Sequence, residues 1–161
     1  VINLIPRQRA GSLIATAGLN NATEGRFAGV NVLSYASTVS SAGKVHIIGD
    51  SSATTQPKAG HIANQEAKVC ADAIGRILSG GSPDPAPVTN SACFSTITMS
   101  QASWLTAVFQ YNPAWLNPAT GLTGPAMVPV AASSGASTGW NSENFKDMGE
   151  WFKALMADSF A

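Results

Sequence analysis

The stretch from Lys44 to Leu78, KVHIIGDSSATTQPKAGHIANQEAKVCADAIGRIL, constrains the fold more than any other part of the chain. A short apolar run, Val45 to Ile48, ends on Gly49-Asp50, the composition of a buried strand that delivers an acidic side chain at its carboxyl end. Strand ends of that kind are where α/β sheets bind ligands. After a polar loop, Pro57 precedes Lys58, Ala59 and Gly60, and from there Ala63, Ala67, Cys70, Ile74 and Ile77 recur at alternating steps of four and three. That spacing predicts one apolar face of a helix. The expected unit is strand, acidic turn, loop and helix, with the helix's free N–H groups and positive dipole end pointing back toward the strand tip.

Upstream of this unit, Ala10, Leu13, Ile14 and Ala17 give a helical stripe over Arg7 to Ala17, closed by Gly18 as a C-cap. Val30 to Tyr35 reads as a strand between the polar turns at Asn20 to Gly29 and Ser37 to Gly43. Downstream, the helix stops at Ser79-Gly80-Gly81, and the alternating prolines of Ser82 to Pro87 cannot continue it. A domain boundary is expected there, dividing the chain into residues 1–84 and 85–161. Ala92 to Met99 and Trp104 to Tyr111, rich in Thr, Ile, Val and aromatics, predict an antiparallel hairpin. Pro113 to Gly139 is expected to be a long loop. From Asn141 the spacing of Phe145, Met148, Phe152 and Leu155 predicts a final helix with Asn141 as its cap, Glu143 in its first turn and Trp151 beside its stripe.

Composition excludes several functions. Charged residues are only 11% of the 161, against 45% apolar, so a free globule would expose much neutral surface. Such surface is expected to be covered by other parts of a longer protein or by a partner, with a secreted domain rich in Ser, Thr and Ala as the plainer alternative. Formal net charge is zero and no Lys or Arg cluster exists, which argues against nucleic acid. No apolar run approaches the roughly 20 residues that span a bilayer. The chain opens on Val1 rather than Met, from which removal of something upstream is expected. Cys70 and Cys93 make no disulfide framework, and no CxxC or Cys/His spacing points to a metal. A CxxCH haem attachment is also absent, so any haem belongs to another chain.

The HIIGDSS segment followed by QPKAGHIANQEAKV resembles the second flavin-contacting motif of FAD-dependent sulfide oxidoreductases of the flavoprotein disulfide reductase type. Among these it is most similar to the flavoprotein subunit of flavocytochrome c sulfide dehydrogenase. IPRQRAGSLIATAGL before it, TNSACFS after it and the closing EWFKALMADSFA sit in the order that the C-terminal part of that family shows. The resemblance implies an α/β fragment, the C-terminal end of a Rossmann-like FAD-binding domain, followed by a small α+β domain with an antiparallel hairpin and a final helix. It also implies a periplasmic location.

For single residues, the resemblance implies that Asp50 holds the ribityl chain of FAD and that Gly49 beside it belongs to the cofactor site; an Asx turn or a helix-type cap is the structural alternative for the aspartate. Lys58, Ala59, Gly60 and His61 mark the helix N-terminus, where N–H groups, a dipole end and an ammonium together favour negative charge at one edge of a reduced flavin; without the resemblance, Lys58 reads as a solvated surface lysine. Lacking a Cβ, Gly60 lets the ring approach the backbone. The family usually carries tyrosine where His61 stands. His46 reads as a packed strand residue and Cys70 as buried filling. Cys93 falls where the family contributes one half of a redox-active disulfide, whose other half comes from an N-terminal portion missing from this chain. Trp151 matches a tryptophan placed against the flavin near the path to the haem subunit; packing of an amphipathic helix accounts for it equally well.

The implied chemistry is sulfide oxidation. Hydrosulfide attacks a disulfide containing Cys93, the released thiolate donates to flavin, and electrons pass singly to haem c on a cytochrome subunit. The chain has no GxGxxG, so FAD is only partly contacted here. Alone it is expected neither to retain FAD tightly nor to turn over sulfide. A fragment of a sulfide:quinone oxidoreductase and a non-catalytic interaction module are the alternatives.

Overall fold

The β-branched and aromatic residues between Val88 and Leu116 build the longest paired unit of the computed structural model, which describes residues 2–160. Strands β3 (Val88–Thr98) and β4 (Gln101–Leu116) run antiparallel through a tight turn at Met99-Ser100, with Phe94 opposite Trp104 and Cys93 opposite Leu105. The expected hairpin is present, and longer than its apolar core suggested. β5 (Thr123–Pro129) adds to the other side of β4, and the two-residue β6 (Gly135–Ala136) pairs with β4 at Leu105 and Thr106. The whole is a mixed α/β fold with an antiparallel sheet and a C-terminal helix.

The expected loop from Pro113 to Gly139 is therefore corrected: much of it is strand. Pro113 is tolerated because β4 is irregular between Asn112 and Trp115, and β5 accommodates Pro125 and Pro129 because it is the outer strand there.

Helix α2 (Gly60–Leu78) forms where the spacing predicts it and ends in a glycine-capped turn. Gly80, at φ +82°, donates to the Ile77 carbonyl at 3.0 Å and Gly81 donates to Arg76 at 2.9 Å, the paired bonds of a Schellman motif. Its buried face shares Cys70 with the expected stripe but otherwise lies one residue earlier, on Ile62, Glu66 and Ala73. Helix α3 (Ser142–Phe160) likewise turns Asn144, Met148, Trp151 and Leu155 inward and leaves Phe152 exposed. In both helices a polar side chain, Glu66 or Asn144, occupies an inward position because it finds partners there. Asn144 Nδ2 donates to the carbonyls of Ala102 and Gly139, and its backbone N–H is capped by Asn141 Oδ1 at 2.7 Å.

Other early expectations shrink. The first helix, α1, covers only Ser12–Thr16: before it the Ala10 N–H donates to the Arg26 carbonyl at 2.9 Å instead of entering a helix, and Gly18 still closes it at φ +69°. The strand expected over Val30 to Tyr35 is the short β1 (Val30–Asn31), which pairs with β2 (Ala36–Ser37) across a turn that places Tyr35 at φ +58°. Val45 to Ile48 is not a buried strand. Only His46 bridges, to Ala36, and Val45 and Ile48 are exposed, since one bridge is all the pairing that the segment finds among the described residues.

One core cluster joins Val32 and Ile62 to Phe109 and Met127, flanked by Ala107 and Tyr111. A smaller one gathers Leu19, Ala28 and Ile47. Tyr35 Oη donates to Gln56 Oε1 at 3.1 Å, and Gln56 Nε2 donates to Thr89 Oγ1 at 2.6 Å, all three residues being buried. Apolar and polar contacts thus cross the proline-rich connector at which the domain boundary was expected.

Candidate functional site

Gly49 opens a 3₁₀ turn, Gly49–Ser51, at φ +66°, and a Cβ added there would meet the Ala63 methyl at 3.2 Å. Glycine therefore serves twice, in conformation and in space. Its N–H donates to Glu66, whose other carboxylate oxygen accepts from Thr54 Oγ1 at 3.3 Å. Ser52 Oγ closes the turn onto the Gly49 carbonyl at 2.8 Å. Asp50 stands exposed at the tip.

Glu66 is 1% exposed, and burial raises its pKa against the opposing pull of the Gly49 and Thr54 bonds and of Lys58. Counting apolar residues along α2 passes over it. The available signal was its place four residues after Ile62 and four before Cys70, in the middle of the inward face.

At the mouth of α2, Ala59 is the N-cap in extended conformation and no side chain caps the helix. Space around Gly60 is open on its Cβ side. Lys58 is engaged elsewhere: Nζ donates to the Ser52 carbonyl at 2.6 Å and lies 4.2 Å from the centre of the Phe27 ring. Partial desolvation there lowers its pKa, while Asp50 and Glu66 pull it back up. The turn and the helix are thus pressed together through Ala63 and Glu66.

His61 faces another way. Its Nδ1 accepts the Ala92 N–H at 2.9 Å, and its ring meets Trp151 edge-on at 5.9 Å. Trp151 in turn packs against Phe94 at 5.4 Å. Burial lowers the His61 pKa, with Lys68 adding to the effect, against the opposing pull of the Ala92 contact and of Asp158. Cys93, between Ala92 and Phe94, is a free and exposed thiol, whereas Cys70 is free and buried, with its pKa raised by burial. A thiol of the latter kind is a weak nucleophile.

The end of α3 is tied to α2 by Asp158, which pairs with Lys68 at 2.7 Å and accepts from Asn64 Nδ2 at 2.9 Å. Between the two helices lies an open cavity of about 410 Å³, with Gly60, Asn64, Lys68 and Phe160 in its wall.

The expected residues therefore form two groups on α2. Gly49, Asp50 and Lys58 meet on one side of the helix mouth; His61 and Trp151 meet the Cys93 strand on the other, with Ala59 and Gly60 between them. Among the described residues there is no cluster of three side chains able to hold a metal ion, and no helix is long and apolar enough to cross a membrane. No family model matches the chain.

Proposed function

We propose that this chain is the C-terminal portion of a FAD-dependent sulfide dehydrogenase, residues 1–84 ending its FAD-binding domain and 85–161 forming the face toward flavin and cytochrome. The observation that carries the reading is the α2 mouth: an uncapped helix N-terminus, open at Gly60, beside a turn that Glu66 fixes with Asp50 at its tip. Backbone N–H groups and the helix dipole there favour an anionic ring edge, and the Asp50 carboxylate suits vicinal hydroxyls. Bound at that place, FAD would supply two-electron acceptance and one-electron release. Cys93, exposed on its strand, has the access that attack by hydrosulfide on a disulfide requires. Haem c belongs to a partner subunit, and the periplasm is the matching compartment.

Visible spectroscopy of the protein isolated in its native complex tests this. A flavin band that bleaches on adding sulfide, followed by reduction of a c-type haem, is expected; a colourless complex would contradict it. The chain by itself is expected to lose FAD on desalting, and retention with sulfide bleaching would refute that part.

A second reading, a sulfide:quinone oxidoreductase, draws on one feature of α3. Phe152, Met156 and Phe160, spaced four apart, are 55%, 40% and 78% exposed and form an apolar outer stripe suited to a membrane surface. The acidic Glu143, Asp147, Glu150 and Asp158 outnumber Lys146 and Lys153 on that helix and weigh against an anionic bilayer. Reoxidation by quinone rather than by haem would favour this reading.

A further inference from the structure

Cys93 pairs with Leu105 in the ladder on its inner side, and on the outer edge of β3 it is flanked by two neighbours that make contacts beyond the sheet. On one side the Ala92 N–H is bonded to His61, and on the other the Phe94 ring rests against Trp151. His61 and Trp151 also touch each other. Three elements, α2, β3 and α3, therefore converge on the backbone around one thiol. β3 lies at the margin of the sheet, where an N–H pointing outward has no strand to bond; His61 supplies the acceptor.

We infer that His61 is a positioning residue for the strand carrying Cys93, and that uptake of a proton at its Nδ1 frees the outer edge of this strand at Ala92 while its ladder to β4 stays in place. An imidazole that accepts at Nδ1 carries its one hydrogen on Nε2. A second proton on Nδ1 places a donor against the Ala92 donor, and the bond is lost. The charged groups facing the ring are Lys68 from its own helix and Asp158 from α3, which are paired with each other; from β3 the nearest titratable group is Cys93 itself.

The sign follows from burial, which holds the ring's pKa below its ordinary value of about 6.5. The bracket is therefore fully present above that pH and is lost as pH falls through the lower folded-state value. What the positioned thiol reacts with rests on the function proposed above; the bracket itself does not.

Amide exchange in the full chain, expressed as protection factors so that intrinsic pH effects cancel, tests the inference without flavin or sulfide. In the native sequence Ala92 is expected to be protected at pH 7.5 and to lose about fivefold on acidification, the factor one hydrogen bond of ordinary net strength is worth. The Cys93 Cβ resonance is expected to shift with the same midpoint. His61→Phe, which keeps a ring against Trp151 but no acceptor, loses that protection at every pH. His61→Asn retains an acceptor without a titrating group, so protection is restored and the pH step vanishes. Equal Ala92 protection in His61→Phe and the native chain, a pH step that survives in His61→Asn, or a Cys93 signal indifferent to the step would each overturn the inference. Should His61→Phe fail to fold, the comparison between the native chain and His61→Asn still decides. Because no readout contains flavin, a negative result leaves the proposed function standing, and failure of that function leaves this result intact.

Discussion

Glu66 joins local chemistry to the shape of the site. A buried carboxylate is costly unless paired or hydrogen-bonded, and here it has the Gly49 N–H and the Thr54 hydroxyl. Removing it with Glu66→Ala leaves that N–H unsatisfied in a buried place, so a loss of about 1–3 kcal/mol is expected in denaturant melts. Glu66→Gln keeps an acceptor for Gly49 and offers Thr54 a donor, and is expected to be neutral or stabilising at pH 7. The direction follows from the raised pKa: the folded state holds this proton more tightly than the unfolded chain. The resulting stability is present below the ordinary carboxylate pKa and is lost as pH rises through the folded value. A flat pH dependence of the difference between Glu66→Gln and the native chain would contradict this account. His61 makes the complementary point, since its partner is a backbone N–H on a strand thirty-one positions away, which no reading of local sequence places beside it.

The helices were legible because their signals are local. Gly80-Gly81 ends α2 by the left-handed turn it permits, and the 3.6-residue period marks its length. Two glycines of this element should respond in opposite directions to alanine. Gly80→Ala forces a Cβ into a positive φ and should cost about 1 kcal/mol, whereas Gly75→Ala, in an exposed helical position with open space around it, should add about 1 kcal/mol by removing backbone freedom from the unfolded chain. Thermal melts that move both variants the same way would refute this. Strands were less legible, because a strand depends on its neighbour. Val45 to Ile48 has the right composition and little pairing, while β5 carries Pro125 and Pro129 and pairs well because its outer edge needs no donors. The inward faces of α2 and α3 each contain a polar residue, so counting apolar positions misplaced the first face by one residue and substituted Phe152 for Trp151 in the second.

Across the whole molecule, the core shared by Val32, Ile62, Phe109 and Met127 makes the α2 mouth and the sheet one mechanical unit, reinforced by the buried chain from Tyr35 through Gln56 to Thr89. That union places the Asp50 turn and the Cys93 strand on opposite flanks of one helix end, an arrangement that spacing along the sequence does not reveal. Leu13, Leu78 and Phe160 are each at least 75% exposed, so apolar surface stands open to solvent, as the low charge content led one to expect. The most direct measurement is amide and indole chemical-shift mapping while riboflavin, the ring end and ribityl chain without phosphate or adenine, is titrated to millimolar concentration. Saturable shifts confined to Gly49 to Ser52 and Gly60 to Ile62 are predicted. Shifts absent from those positions, or confined to distant ones, would contradict the claim that the acidic turn and the open helix mouth together receive a flavin.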